Sequence, residues 1–230
     1  KIPGKETDPR HPGENFYWNQ EDLVRERAAA GRWTFSVFRP QIVCGHAVGS
    51  PMNLVAALGV YAAVSRARGE PLRFPGGTGV LGEATDADLL ARAIVWAGGE
   101  AACAGETLNV TNGDVLEWHG LWPSVAEVFG MAPGEPSPCR LAEEMPRHAA
   151  VWDALVEEHG LRPNTMDGLI GSSWQFADAA FGFGARGGPG AVTLLSTVRI
   201  RQLGFGECVD TEQMLVRQLR ELQARRILPR

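Results

Sequence analysis

An α/β fold is the class this sequence predicts, and three observations carry it. Two short runs rich in β-branched and aromatic residues, Trp33–Phe38 and Thr107–Val110, have the composition of strands. Capped or strongly apolar helical segments alternate with them along the chain. Of the 230 residues, 44% are hydrophobic. That is enough to bury a sizeable core, and no repeat or low-complexity tract interrupts the pattern.

Taken in order, Asn19 to Ala30 reads as a helix, with Glu21 and Asp22 in its first turn and Arg25 and Arg27 further on, as the helix dipole favours. Gly31 ends it. The strand Trp33–Phe38 follows, closed by Arg39-Pro40, because proline cannot continue a central ladder. Gln41–Cys44 is a second extended piece. Pro51-Met52-Asn53 opens a long apolar helix to Arg68, and Leu72–Phe74 is short and extended. Asp86-Ala87-Asp88 caps a helix running through Trp96 to Gly98. Asn112-Gly113-Asp114 turns the chain from the Thr107–Val110 strand into a helix from Trp118 to Phe129. Residues 131–147, rich in Pro and Glu, carry no clear period. Trp152–His159 is helical, broken at Leu161-Arg162-Pro163, and Leu169–Phe183 is an aromatic segment with helical character. Arg186-Gly187-Gly188-Pro189-Gly190 is a loop, and Ser196–Leu203 and Asp210–Arg226 are closing helices.

Composition excludes several functions. A net charge of −5 argues against a nucleic-acid or anionic-membrane partner, since both need a basic surface. Arg217, Arg220, Arg225 and Arg226 recur among Leu and Ile, as on the polar side of an amphipathic helix. The longest apolar run, Met52–Val64, is too short to span a bilayer, and the polar N-terminus predicts no signal peptide. Cys44, Cys103, Cys139 and Cys208 lack metal-ligand or disulfide spacing, so no metal is expected and a reducing, cytoplasmic setting is. None of the five histidines belongs to a hydrolase motif. Gly77-Thr78-Gly79-Val80-Leu81-Gly82 has the glycine spacing of a phosphate loop. The piece before it is short and stops at Pro75, where a dinucleotide fold needs a full strand, so a surface loop is the better reading.

One combination points to chemistry. Tyr17 opens a helix that leads into a strand ending in Arg39-Pro40. From Asn15 onward this order, and much else, resembles the progesterone 5β-reductase/iridoid synthase-like family of atypical extended short-chain dehydrogenases/reductases. NFYWNQEDL, WTFSVFRPQIVCG, MNLVAALGVYAAV, PLRFPG, TDADLLARAIVWA and LNVTNGDVLEWHGLWPSVAEVFG resemble its blocks in sequence order. Asn112, Gly113, Asp114, Trp118 and Trp122 are the most specific of these residues.

The resemblance implies a Rossmann-type fold, incomplete here, with a smaller and mainly helical substrate lobe. Residues 1–45 would close the cofactor domain and carry the catalytic tyrosine. Residues 46–230 would form the substrate lobe, interleaved with remaining Rossmann strands. The phosphate-binding half and a catalytic lysine would lie outside this sequence. Implied too are NADP(H), a small apolar carbonyl substrate, 1,4-reduction of its conjugated C=C bond, and a homodimer as candidate assembly. Tyr17 would be the catalytic hydrogen-bond donor. Arg39, Pro40, Ile42 and Val43 would face the cofactor, and Met52, Trp174, Phe176 and Phe181, with Phe183 nearby, would line an apolar substrate pocket. A nucleotide-sugar epimerase or dehydratase, or a non-catalytic remnant, is the alternative. Three departures stand out. Glu21 sits four residues after Tyr17, where most short-chain dehydrogenases carry lysine. Trp18 replaces the family's second tyrosine. The loop between Phe74 and Asp86 is shorter than in the plant enzymes, so their substrates do not carry over.

Overall fold

A computed structural model describes residues 1–77, 79–162, 164–183 and 192–230. The loop expected at Arg186–Gly190 lies outside the described residues. The first helix, α1 (Phe16–Ala30), starts earlier than its acidic residues suggest, because the Asn15 side chain accepts a hydrogen bond from the Tyr17 N–H and caps it. Glu21 and Asp22 therefore lie inside the helix rather than in its first turn. Strand β1 is Val37–Pro40, later than expected, and Arg39 and Pro40 belong to it. Proline is tolerated there because it is the last residue of the strand. β1 pairs in parallel with β6 (Thr107–Val110), Arg39 opposite Asn109. β2 (Val43–Cys44) pairs in parallel with β5 (Thr85–Asp86). Between these strands in sequence run α2 (Leu54–Ala67), β3 (Leu72–Arg73) and β4 (Leu81–Gly82). α3 (Ala87–Gly99) begins at the Asp86 cap, as the sequence indicates.

β7 (Leu116–Glu117) pairs antiparallel with β4. The helix expected from Trp118 begins as a 3₁₀ turn, Trp118–Leu121, and becomes α4 at Trp122–Val128, with Pro123 in its first turn. Residues 131–147 fold as β8 (Pro133–Gly134), which pairs in parallel with β3, then α5 (Leu141–Glu144) and a 3₁₀ turn. α6 spans Ala149–Glu158. The expected helix Leu169–Phe183 is two, α7 (Met166–Ile170) and α8 (Ser173–Ala180). They are split at Gly171, whose φ of 51° ends the first. α9 (Val198–Gln202) and α10 (Thr211–Ala224) close the chain, and Arg217, Arg220, Arg225 and Arg226 are exposed.

Helix α2 is apolar all round, and eleven of its residues are buried, as befits a helix in the centre of a core. α6, α7, α8 and α10 pack against it. A side chain at Gly59 would put its Cβ 2.1 Å from Leu228 Cδ1, so the absence of one lets the C-terminal segment seat on this helix. Beneath lies an edge-on aromatic cluster: ring centroids are 4.7 Å apart for Phe74–Trp122, 5.4 Å for Phe74–Phe181 and 5.7 Å for Trp118–Phe181. A second, smaller core joins α3, β6 and α9 through Leu89, Ala93, Leu108, Val110, Ile200 and Phe205.

The Asn-Gly-Asp piece ties the strands to α10. Asn112 is fully buried. Its carbonyl oxygen accepts from the Asp86 N–H (2.6 Å), and its amide donates to Thr211 Oγ1 (3.0 Å). Asp114 accepts from the Thr211 N–H at 2.9 Å, so both side chains hold the start of the last helix. This polar network needs these residue types at this spacing, which explains why the piece is so distinctive in sequence.

Candidate active site

A cleft of about 970 Å³ runs along β1 and over the following residues. α1 supplies Tyr17, Trp18 and Glu21, β1 supplies all four of its residues, and Ile42 and Val43 continue the wall. Met52, Asn53 and, from α8, Phe176 complete the opposite side. The residues expected to face a cofactor and the tyrosine therefore share one cleft with two of the four residues expected to face a substrate.

The other two are placed elsewhere. Trp174 is 4% exposed and Phe181 fully buried, both within the main core. Phe181 packs edge-on against Phe74, Trp118 and Trp122, which corrects its expected place on the pocket wall. α8 presents Phe176 to the cleft and Trp174 to the core, since residues two apart cannot share a helix face. Phe183 stands apart, with the Arg140 guanidinium 5.1 Å from its ring centroid.

Tyr17 is 64% exposed, beside the equally open Phe16. It opens onto the cleft mouth and not into a dry pocket. Behind it lies a charged cluster that the sequence reading missed. Glu21 is the one residue α1 buries. Its Oε1 accepts from Arg25 at 2.8 Å and its Oε2 from Arg39 at 2.9 Å, while Arg10 stands 3.7 Å away and pairs with Asp22 at 2.8 Å. Burial pushes the Glu21 carboxyl up, but the hydrogen bonds from Arg25 and Arg39 outweigh it and hold the group below its ordinary range. The guanidinium carbons of Arg10 and Arg39 lie 4.9 and 5.1 Å from the Trp18 ring centroid. The Trp18 Nε1 is buried without a hydrogen-bond partner among the described residues. The available signals were Glu21 at the lysine's usual spacing and Arg25 four residues on, which identify an ion pair but not its link to β1.

The far wall is fixed by hydrogen bonds. Asn53 caps α2 by accepting from the Ala56 N–H at 3.0 Å. Its own N–H donates to Ser173 Oγ at 2.9 Å, and that hydroxyl donates to the Ser50 carbonyl at 2.7 Å. Cys44, fully buried behind the cleft, has its thiol pushed up to about 12 by burial and the nearby Asp86. It stays protonated and is no nucleophile. Among the described residues no group of three or more His, Cys, Asp or Glu could hold a metal, and no helix is long and apolar enough to cross a membrane.

The glycine-spaced segment 77–82 has structural uses for its groups. The Gly79 N–H donates to the Glu117 carboxylate at 2.7 Å, where a phosphate would have to sit. A Cβ at Gly82 would meet Trp118 Nε1 at 2.4 Å. Calorimetry of the 230-residue chain with NADP(H) should accordingly find no micromolar affinity, and finding it would restore this loop as a phosphate site.

Parallel strand pairs, flanking helices and a cleft over the strand end are those of a Rossmann-type α/β protein. The UDP-glucose 4-epimerase of Thermotoga maritima superposes with a TM-score of 0.58 at 15% identity, over 97% of this chain and 58% of that one. The terminal R domain of the myxalamid biosynthetic pathway does so with 0.61 at 17%, over 100% and 55%. More specifically, the chain belongs to the PRISE-like Rossmann-fold domain family, which it matches over residues 2–181. An (S)-8-oxocitronellyl enol synthase of Camptotheca acuminata is 32% identical over 99% of this chain and 58% of its own length. The 3-oxo-Δ(4,5)-steroid 5β-reductase of Arabidopsis thaliana is 35% identical over 78% of this chain and 48% of its own. The chain spans about half the length of the curated relatives it matches.

Proposed function

We propose that this chain carries the tyrosine and substrate cleft of an NADP(H)-dependent reductase acting on a C=C bond conjugated to a carbonyl. The observation that carries the reading is the convergence of Tyr17, Arg39, Pro40, Ile42, Val43, Met52 and Phe176 on one cleft. The relatives' names, an enol synthase and a steroid 5β-reductase, support it.

The reactive end of a dinucleotide fits these residues. The β1 end offers apolar Pro40, Ile42 and Val43 for a flat ring and the Arg39 guanidinium for its polar edge. Bound there, the nicotinamide is the hydride source. In this reading Met52 and Phe176 give the substrate an apolar wall, suited to a small apolar carbonyl compound. Tyr17 donates a hydrogen bond to the carbonyl oxygen as it gains enolate charge. A substrate that covers the exposed Tyr17 displaces its water, and the bond then gains strength. Residues 1–45 together with β6 belong to the cofactor side, and α2 with the later helices to the substrate side. We place the protein in the cytoplasm, where its four free cysteines stay reduced, and take a homodimer as the assembly to test by light scattering.

The test is Tyr17→Phe in the full-length protein, assayed by oxidation of NADPH with small enones. Phe keeps the ring and removes only the hydroxyl. Turnover should fall about a hundredfold or more while the Tm barely moves. Near-normal kcat would show that Tyr17 only shapes the cleft. Trp18→Phe is the positional control and should retain most of the activity.

A further inference from the structure

Glu21 poses a physical problem that the reductase reading leaves open. Its side chain is 7% exposed, yet it carries a charge and gathers arginines from three segments: Arg10 before α1, Arg25 within it, and Arg39 on β1. Burying a carboxylate is costly, and a buried ion pair contributes little net stability compared with an apolar residue of similar size. Docking of α1 alone therefore gives no reason for a carboxylate here. The pair to Arg25 lies within one helix. The pair to Arg39 is different, because it reaches 18 residues along the chain to the strand that forms the cleft wall.

Arg39 is the residue this arrangement fixes. One nitrogen, Nη2, is bound to Glu21 at 2.9 Å, and the guanidinium carbon stands 5.1 Å from the Trp18 ring centroid. A planar guanidinium held at one nitrogen and stacked on a ring has little rotational freedom left. It carries five N–H donors. Among the described residues Glu21 is the one hydrogen-bond partner of the Arg39 side chain, which is 27% exposed and lines the cleft.

We propose that Glu21 is a positioning residue. It holds Arg39 against Trp18 so that the unused N–H groups of Arg39 meet an oxygen acceptor of a reactant bound in the cleft. The inference rests on the reductase reading, in which that acceptor belongs either to the dinucleotide or to the enone. The carboxylate at the spacing where most short-chain dehydrogenases carry a lysine would thus act on the reactants only through a second side chain.

The experiment compares Glu21→Gln, Arg39→Lys, the double variant and Arg25→Gln in the full-length protein. Five quantities are read: the Arg39 side-chain Nε–H resonance (identified by its loss in Arg39→Lys), the NADP(H) Kd, kcat and KM for an enone, and the Tm. Glu21→Gln and Arg39→Lys should each lower kcat/KM about tenfold or more, since lysine lacks the planar fork. The double variant should lose no more than the worse single, as expected for two residues acting as a unit. Arg25→Gln should stay within about threefold, and the Arg39 resonance should broaden in Glu21→Gln. A raised Kd then assigns the acceptor to the dinucleotide. A raised KM at constant Kd assigns it to the enone.

Additive losses, an unchanged Arg39 resonance, or an Arg25→Gln variant as damaged as Glu21→Gln with a matching fall in Tm would overturn the proposal, leaving Glu21 as a fastener of the helix. If the parent protein reduces no enone, the reductase reading fails. The resonance and the Kd then judge the clamp independently.

Discussion

Helix α1 lines the cleft, α2 starts from the cap Asn53 on the cleft wall, and the two helices are held by different forces. α2 buries eleven residues, all but Ser65 apolar or glycine. α1 buries one, the carboxylate Glu21, while Phe16, Tyr17 and Leu23 stand at 68%, 64% and 52% exposure. Stability and chemistry are therefore separated along the chain. Changes on the α2 side should be read in denaturation curves, and changes on the α1 side in turnover.

The sharpest break of that contrast would come from comparing a buried ring, Phe181, with an exposed residue of the cleft, Met52. Phe181→Ala removes the ring at the centre of the Phe74–Trp118–Trp122 cluster and should cost about 3–5 kcal/mol in urea denaturation. Met52→Ala, at a residue 53% exposed on the cleft, should cost less than about 1 kcal/mol and raise KM instead. A Met52→Ala variant as unstable as Phe181→Ala would show that the cleft wall is core. Next in size, Asn112→Ala leaves the buried Asp86 N–H without its partner and removes one of the two partners of Thr211 Oγ1, which keeps Asp114. It should lower stability by about 1–3 kcal/mol, with enone KM unchanged.

The smallest effect sharpens the contrast between two buried acids. Glu21 is met by arginines. Glu83 is held by the Leu195 N–H at 2.7 Å, and burial raises its carboxyl above the ordinary value. For Glu83 the native state binds the proton more tightly than the unfolded chain does. Its ionisation therefore costs stability as pH rises through the raised value, and that cost disappears on acidification. For Glu21 the native value is lowered, so its contribution is present above the ordinary range and lost as pH falls. Glu83→Gln should hold or raise the Tm at pH 7, with the difference closing below the ordinary value of 4.5. A variant less stable at pH 7 than at pH 4 relative to the parent would reverse the sign.

What could be read from the sequence follows the same division. The β6 strand, the Asp86 cap and the long helix after Asn53 were legible because each is governed by local signals, β-branching, a capping side chain and an apolar run. The start of β1 was not. Trp33 and Phe35 have strand composition, but the ladder to β6 begins only at Val37, and pairing is a property of two segments. The Leu169–Phe183 segment misled for a related reason, since its aromatic pattern hides the break at Gly171. At the candidate site, Tyr17 and the Arg39-Pro40 end stood out as residues. The link from Glu21 to Arg39 spans a helix and a strand, and no single-segment pattern encodes it. Trp174 and Phe181 were chosen for their type, and side-chain type does not say which face of the helix is turned inward.

The seat of Leu228 on Gly59 has a consequence for synthesis. The central helix of the main core is made well before the side chain that fills its notch, and the buried amide of Asn112 waits for Thr211. While the chain is still being extended on the ribosome, α2 therefore lacks the residues that cover it and presents bare apolar surface to whatever is nearby. The interval between the emergence of Leu54 and that of Leu228 is the period in which a holding chaperone has most to offer this protein.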